Sequence, residues 1–216
     1  VLACAGHRRS SSAKSLESAP SRYANLDGVR IHYKSLGKGR EVAGIIVDNF
    51  AQGRTKAIWI SEKAALLQDA RRDWQEGVGG DPKQVFPLSG IKASAPLKSV
   101  QGIVYATYDT LKNAEQTDKT KTRLQQIVDW VGKDFAGVLA FDEAHNMGNA
   151  IAMKGKRGVQ KPSAQALAGL ELQKLLPKAK VVYVSATGAT EVANLSYAPR
   201  LGLWGESIGS NRDSSA

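Results

Sequence analysis

An apolar run that ends abruptly in acidic residues is the feature that most constrains the fold of this chain. Val138–Phe141 is apolar, and Asp142, Glu143 and His145 follow it. Such a run predicts a buried strand that delivers polar groups to one edge of a sheet. Paired carboxylates at that edge can hold a Mg²⁺ ion that bridges phosphates and can orient an attacking water. An ordinary strand followed by a solvated acidic turn is the plainer alternative.

A second apolar run ends in small hydroxyl residues. Residues 180–184 precede Ser185, Ala186 and Thr187. Because open α/β sheets bind ligands outside the carboxyl ends of their strands, two such strands predict one shared ligand edge. We expect Ser185 and Thr187 to hydrogen-bond the acidic residues or a phosphate-bound water, with His145 as the link. A turn that caps the next helix is the alternative.

A glycine-rich turn supplies a candidate phosphate site. The turn contains Gly37, Lys38, Gly39 and Arg40, and a helix-like segment follows it. Backbone N–H groups at such a turn, helped by the helix dipole, can cradle phosphates while Lys38 reaches the outer ones. The general phosphate-loop pattern has glycine where His32 stands and Ser or Thr where Gly39 stands. A basic surface turn is therefore the alternative.

Composition limits the classes of protein that the chain can belong to. Its 216 residues, 42% of them hydrophobic, suit one globular domain with a sizeable core. The one cysteine, Cys4, predicts a reducing, cytoplasmic location. No apolar run is long enough for a membrane span, so we expect no membrane anchor and no secretory signal. The net charge of +10 fits a polyanionic partner, nucleic acid first, or surface solubility alone.

The order of the predicted elements indicates the architecture. We expect strands over residues 29–34, 56–61, 84–88, 102–108, 137–142 and 180–186, with 84–88 at an edge. We expect helices over 39–52, 61–76, 122–133, 163–176 and 190–198, with Ser61 as the N-cap of the second. This alternation predicts an α/β fold with a doubly wound, mostly parallel sheet and helices on both faces.

The chain is predicted to contain one folded domain. We expect residues 1–27 to be irregular or disordered, 28–206 to form the domain, and 207–216 to be a polar tail. Residues 146–162 are rich in glycine and lysine and predict an exposed flexible loop, with contact to nucleic acid as the alternative. Trp59, Trp130 and Trp204 lie in apolar contexts and are predicted core residues.

These segments together resemble the P-loop ATPase domain of Strawberry notch-type proteins, which belong with superfamily 2 helicases. The resemblance rests on residues 37–46, 141–145, 182–190 and 200–205, and covers about 36–206. It implies a RecA-like P-loop NTPase fold, ATP and Mg²⁺ as cofactors, and DNA rather than RNA as the nucleic acid. It also implies a prokaryotic or phage fragment whose full-length protein carries a second RecA-like domain or a DNA methylase region.

The resemblance implies roles for individual residues. Lys38 is the implied phosphate-binding residue, in a nucleotide-binding loop with Gly37, Gly39 and Arg40. Asp142 is the implied Mg²⁺ ligand, Glu143 the carboxylate that orients water, and His145 a further catalytic candidate. The implied coupling residues, which act together with His145, are Ser185, Ala186 and Thr187.

Two departures from the family pattern leave enzymatic activity open. Relatives carry more glycines before Gly37, where Tyr33 and Ser35 stand here, and side chains hinder the close approach of a backbone to phosphate. The resemblance also ends near Glu206, so a fragment or a frameshifted product is one hypothesis. The first candidate function is a helicase-like module that couples Mg-ATP binding or hydrolysis to DNA remodelling. The second is a degenerate, non-hydrolysing module that binds nucleic acid or a protein.

Overall fold

A six-stranded sheet lies at the centre of the computed structural model. The structure describes residues 2–3, 21–26, 29–34, 40–112, 122–148, 153–155, 158–185 and 196–201. The strands of the sheet are β1 (Leu2–Ala3), β4 (Lys56–Ser61), β5 (Val85–Pro87), β6 (Gly102–Thr107), β7 (Val138–Phe141) and β10 (Lys180–Tyr183). Two separate pairs are β2 (Ser21–Leu26) with β3 (Val29–Lys34), and β8 (Met153–Gly155) with β9 (Gly158–Gln160).

The strand order of the main sheet is β1-β10-β7-β4-β6-β5. The last five of these strands are parallel, and β1 pairs antiparallel to β10 at one edge. β5 forms the opposite edge, which suits Pro87 because proline has no N–H to give to a neighbouring strand. All residues of β7 are buried, as expected for a strand that is covered on both faces.

Helices cover both faces of the sheet. Helices α1 (Arg40–Ala51) and α2 (Leu67–Val78) pack on one face, and α3 (Tyr108–Lys112), α4 (Arg123–Val131) and α5 (Ala164–Leu175) pack on the other. Alternate residues of β4 divide between these two cores, with Ala57 and Trp59 on the first face and Ile58 and Ile60 on the second. The predicted doubly wound, mostly parallel α/β fold is therefore confirmed.

Most predicted elements lie close to the observed ones. The strand predicted over 56–61 is β4 at the same bounds, and the helix predicted over 163–176 is α5, which Ser163 caps through its side chain. Thr122 likewise caps α4 by accepting a hydrogen bond from the Gln125 N–H at 3.1 Å. Trp59 and Trp130 are buried, as predicted, while Trp204 lies outside the described residues.

The structure corrects the sequence predictions at four places. Ser61 is the last residue of β4 and caps no helix, since α2 begins at Leu67 after a 3₁₀ turn. Within residues 1–27, predicted as irregular, Leu2–Ala3 form β1 at the edge of the main sheet, and Ser21–Leu26 form β2, which pairs with β3 outside that sheet. Part of the predicted loop over 146–162 forms the hairpin of β8 and β9. Residues 196–198, predicted to end a helix, form a turn and an irregular residue. The domain boundaries remain a prediction.

An arginine ties the last described segment to the end of α5. The Arg200 guanidinium donates to the backbone carbonyls of Gln173 at 2.7 Å, Leu176 at 3.3 Å and Pro177 at 2.8 Å. Carbonyls at a helix C-terminus have no partner within the helix and carry its negative dipole. Arg200 therefore satisfies these groups and complements their charge.

The connection between β5 and β6 is an irregular segment held by side chains of α4. The buried Gln126 donates its amide N–H groups to the Lys92 carbonyl at 2.8 Å and the Ala95 carbonyl at 2.6 Å. Trp130 Nε1 donates to the Ser99 carbonyl at 2.6 Å. A crossover without a helix leaves backbone groups that need partners, and α4 supplies them here.

We expect Gln126→Met to destabilise the fold by about 2 kcal/mol, because it leaves two carbonyls without their donors while preserving side-chain volume. Gln125→Met is the matched control, since Gln125 bonds only the neighbouring Asp129 at 2.7 Å among the side chains described, on the exposed face of the same helix. Urea unfolding followed by circular dichroism measures both variants. Equal stability of the two variants would show that Gln126 does not hold the crossover.

Candidate functional site

The polar strand ends of the central sheet lie at one edge. β4 ends at Ser61, β7 is followed by Asp142, and β10 is followed after one residue by Ser185. Backbone hydrogen bonds continue past the regular strands, from the Asp142 N–H to the Ile60 carbonyl at 2.7 Å and from the Ala144 N–H to the Val184 carbonyl at 2.8 Å. The residues predicted to share one ligand edge are therefore fixed to one another by the backbone.

The Asp142 carboxylate is held at both oxygens. Ser61 Oγ donates to Oδ2 at 3.3 Å, and the Glu143 N–H donates to Oδ1 at 3.0 Å. The Tyr108 hydroxyl donates to the Asp142 backbone carbonyl at 2.9 Å, and burial raises the pKa of that hydroxyl well above its usual value. These contacts fix the direction of a half-buried carboxylate while each oxygen keeps a further lone pair.

The environment of Asp142 disfavours its charged form. Burial raises the pKa of Asp142 above 3.8, and the negative charge of Glu143 adds to the rise. The Ser61 hydroxyl and the Glu143 N–H oppose it by donating to the carboxylate. The buried Trp59 N–H faces the same carboxylate and also lowers this pKa, although its geometry falls short of a hydrogen bond. A cation bound at Asp142 would compensate for the free-energy cost of burying the charged carboxylate.

Glu143 has a strained backbone. Its φ of 50° and ψ of 47° lie in the left-handed region, and among the residues that the structure describes it is the only non-glycine with positive φ. Such a conformation is uncommon outside glycine and persists where neighbouring contacts enforce it. Here the Glu143 carbonyl accepts from the Asn146 N–H at 3.0 Å and from Asn146 Nδ2 at 2.9 Å. These two hydrogen bonds hold the turn directly after Asp142 in this conformation.

His145 connects the acidic strand to the hydroxyl strand. Its Nδ1 lies 3.3 Å from Glu143 Oε2 and 3.2 Å from Ser185 Oγ. The sequence predicted that Ser185 would approach the acidic motif, and the structure brings these groups together. Ala186 and Thr187 lie outside the described residues. The catalytic and coupling roles of these side chains remain predictions.

The apolar support beneath the acidic turn is closely packed. The rings of Tyr108 and Phe141 stack with centroids 6.4 Å apart, and those of Phe141 and Tyr183 stack at 5.8 Å. Gly169 of α5 lies against Met147, and a Cβ atom at Gly169 would come within 2.3 Å of Met147 Sδ. Helix α5 can approach the turn this closely only because residue 169 has no side chain.

The predicted phosphate loop is only partly described. Gly37, Lys38 and Gly39 lie outside the described residues, and Arg40 is the first residue of α1. Because α1 is followed by β4 and runs back along the sheet, its N-terminus lies at the carboxyl edge, where Asp142 lies. A helix N-terminus presents unpaired N–H groups and positive potential, which suit an anion.

Ser61 is the site residue that sequence reasoning missed. A serine ahead of an apolar, helix-like segment has the pattern of an N-cap, and this pattern led to the wrong role. The available signal was its position at the end of a buried strand, the same signal that identified Asp142 and Ser185. That position predicts a residue at the ligand edge.

Comparison with known proteins shows the family of this chain. A family profile described as P-loop containing NTP hydrolase pore-1 matches residues 33–214, so the chain is a P-loop NTPase domain and belongs to this family. It is similar to Protein strawberry notch homolog 1 of Gallus gallus, with 45% identity over 177 residues, which are 79% of this chain and 14% of that relative. No solved structure matches the chain.

Further relatives come from distant eukaryotes. Protein strawberry notch of Drosophila melanogaster is 40% identical over 178 residues, 79% of this chain and 10% of that protein. Protein FORGETTER 1 of Arabidopsis thaliana is 40% identical over 174 residues, 79% of this chain and 13% of that protein. The chain thus spans a seventh or less of the length of these curated relatives. A prokaryotic or phage origin finds no support among them.

A single structural observation bears on membranes. Within the part of the chain that the structure describes, no helix is both long enough and apolar enough to cross a bilayer.

We expect Asp142→Asn to raise the stability of the protein at neutral pH. The pKa of Asp142 is higher in the folded protein than the usual 3.8, so ionisation of this group reduces stability as pH rises from 3.8 through the folded-state pKa. The variant removes that loss, so its Tm should exceed the wild-type Tm at pH 7. The difference should shrink as pH falls through the folded-state pKa toward 3.8, where wild-type Asp142 is also neutral.

Asp109→Asn is the control with the opposite sign. Hydrogen bonds from Lys112 and Gln165 lower the pKa of Asp109, so its ionised form favours the folded state. This variant should leave Tm at pH 7 unchanged or slightly lower. A fall in Tm for Asp142→Asn at pH 7 would contradict the desolvation argument.

Proposed function

We propose that the chain is an ATP-binding module of helicase type, in which binding or hydrolysis of Mg-ATP drives remodelling of DNA. The observation that carries this proposal is the carboxyl edge of the sheet, where Asp142 is oriented by Ser61 and where His145 lies between Glu143 and Ser185. An acid pair linked to a hydroxyl on the neighbouring strand suits phosphoryl transfer, in which positioning and electrostatics do most of the chemistry.

The residues at this edge fit a Mg²⁺ ion. Asp142 offers hard carboxylate oxygens, and its half-buried position leaves a negative charge that a cation would offset. Mg²⁺ in nucleotide sites is commonly held by one or two carboxylates together with phosphates and water. Asp142 would hold the ion, which would supply positive charge to neutralise the charge that develops on the nucleotide phosphates.

The chain's own side chains have separable roles in this proposal. Ser61 holds one Asp142 oxygen, so that the carboxylate keeps one direction. Glu143 orients a water and accepts its proton, and its carboxylate lies 3.3 Å from His145 Nδ1. His145 holds the Glu143 carboxylate in position. It also contacts Ser185, so a movement of the acidic residues reaches the Ser185 hydroxyl through His145.

The proposed phosphate side of the site is based on the position of α1. The N-terminus of α1, which follows Gly37, Lys38 and Gly39 in the sequence, lies at the same edge as Asp142, and this position supports a phosphate site there. We assign ATP phosphates to Gly37, Lys38, Gly39 and Arg40, and coupling to Ser185, Ala186 and Thr187. The net charge of +10 supports a nucleic acid partner, with DNA preferred from the family resemblance.

The proposal for the full-length protein is based on the greater length of the relatives. Helicase-type sites close between two RecA-like units, so we propose that a second such unit, or a methylase region, acts with this one in the full-length protein. We therefore expect little ATP turnover by this chain alone. The cytoplasmic location remains a prediction from the single cysteine.

A second function is favoured by one specific observation. Glu41, in the first turn of α1, is only 5% exposed, so it places a carboxylate beside the helix N-terminus that should receive phosphate. A carboxylate there competes with an anionic ligand for the same positive potential. Together with Tyr33 and Ser35 in place of loop glycines, it favours a degenerate module that binds nucleic acid or a protein without hydrolysis.

Titration with a fluorescent ATP analogue distinguishes the two functions. We expect Mg²⁺ to tighten binding by about tenfold, equivalent to ~1.4 kcal/mol, and Asp142→Asn to remove this dependence on Mg²⁺. Lys38→Ala should weaken binding with and without the ion, and Asp109→Asn, at an exposed carboxylate, should behave as wild type. If DNA binds while the analogue does not bind even at millimolar concentration, the degenerate module is the correct function.

Turnover measurements test the role of Glu143. We expect the isolated chain to hydrolyse ATP slowly or not at all, because the groups of a second unit are needed to complete the site. Rapid, DNA-stimulated hydrolysis that both Lys38→Ala and Glu143→Gln abolish would contradict this expectation and would show that one unit suffices.

Ser61→Ala tests the positioning of Asp142. Loss of the Oγ hydrogen bond frees one carboxylate oxygen, so we expect the Mg²⁺ concentration needed for half-maximal tightening to rise about tenfold. Binding of the analogue without Mg²⁺ should not change, which separates positioning from general damage to the fold. Thr107→Ala is the control, because Thr107 is at the same edge but bonds Thr110 at 2.9 Å. Equal effects of the two variants on the Mg²⁺ dependence would show that Ser61 does not position Asp142.

A further inference from the structure

A cleft of about 230 Å³ lies at the amino-terminal edge of the sheet, opposite the acidic site. It is formed where the chain enters β4 and β7, and its lining consists of Gly53, Arg54, Thr55, Lys56, Phe135, Ala136 and Gly137. Because parallel strands all begin at this edge, the cleft is separated from Asp142 by the length of the strands. The proposed nucleotide site uses none of these residues.

Cationic residues lie in and beside this cleft. Arg54 and Lys56 line it, and Lys180, the first residue of β10, adjoins it through the hydrogen bond from its N–H to the Gly137 carbonyl at 2.8 Å. All three side chains belong to half-buried residues. The Lys56 ammonium is fixed by the Trp130 carbonyl at 2.6 Å and by the Trp130 ring, whose centroid is 5.1 Å away. The positive groups are therefore gathered by the fold.

These cations lack acidic partners among the residues whose side chains the structure describes. Arg54 Nη1 bonds the neutral Gln52 at 2.6 Å, and no described carboxylate forms an ion pair with Arg54, Lys56 or Lys180. Asp134, next to Phe135, pairs with Lys178 at 2.6 Å. Burial lowers the pKa of Lys180, and the positive charge of Arg54 lowers it further.

We propose that this cleft is a binding site for a phosphate group, anchored by Arg54 and Lys180 with Lys56 beside them. A doubly charged oxyanion relieves the repulsion between the cations, and the planar guanidinium of Arg54 can donate to two phosphate oxygens at once. Thr55 adds a hydroxyl to the lining. The phosphate can come from a free phosphate compound, which carries the double charge, or from a nucleic acid backbone, whose phosphodiester groups carry one negative charge each and offer the same type of oxygen to Arg54.

Nuclear magnetic resonance titration of the ¹⁵N-labelled chain with pyrophosphate tests the proposal residue by residue. We expect saturable shifts of the Gly53, Thr55 and Gly137 amide signals. Arg54→Gln/Lys180→Gln should weaken this binding at least about tenfold, because charge-assisted hydrogen bonds are lost. The matched control is Lys63→Gln/Lys174→Gln, which removes the same charge from exposed positions and should keep wild-type affinity.

Signals outside the cleft keep the test decisive. The amide signals of β4 and β7 report whether the Arg54→Gln/Lys180→Gln variant is folded, and binding near α1 is read from separate signals. No shift at the cleft, or equal affinity of the two double variants, would overturn the proposal. A repeat with a short single-stranded DNA identifies the source: stronger shifts with DNA than with pyrophosphate indicate a nucleic acid backbone, and shifts with pyrophosphate alone indicate a free phosphate compound.

Discussion

The parallel pairing of β7 with β4 and β10 is the constraint on which the rest of the site depends. Parallel strands end at the same edge, and their hydrogen bonds here continue beyond the regular strands through Asp142 to Ile60 and through Ala144 to Val184. These bonds set the register of Ser61, Asp142 and Ser185 to one another. The side-chain contacts at the edge are therefore consequences of backbone pairing among buried apolar runs.

The features that could be predicted from the sequence were those that depend on residues close to one another in the chain. A strand that is covered on both faces consists of consecutive apolar residues, as in β4, β7 and β10. The position and burial of these strands could therefore be predicted from the apolar runs in the sequence. Asp142 could be identified for the same reason, since it directly follows such a run. The starts of the helices predicted over 122–133 and 163–176 were also local signals, and in the structure Thr122 and Ser163 each accept a hydrogen bond from an N–H three residues ahead.

The features that the sequence did not reveal depend on distant partners. Ser61 and Asp142 are 81 positions apart, and only the strand order places them together. The strand over 29–34 was visible as an alternating pattern, but its pairing with β2 requires a partner that looked irregular. The cationic residues at the amino-terminal edge are similarly separated in the sequence. The net charge of the chain could be counted from the sequence, but the place where these cations gather could not be predicted.

The close approach of Gly169 to Met147 has a consequence for how the segments around the site are connected. A side chain at position 169 would have to displace the Met147 side chain, so the missing methyl group lets α5 lie directly against the turn that carries His145. The C-terminal end of the same helix is bonded by Arg200. One helix thus contacts the acidic turn along its side and the segment around Arg200 at its end.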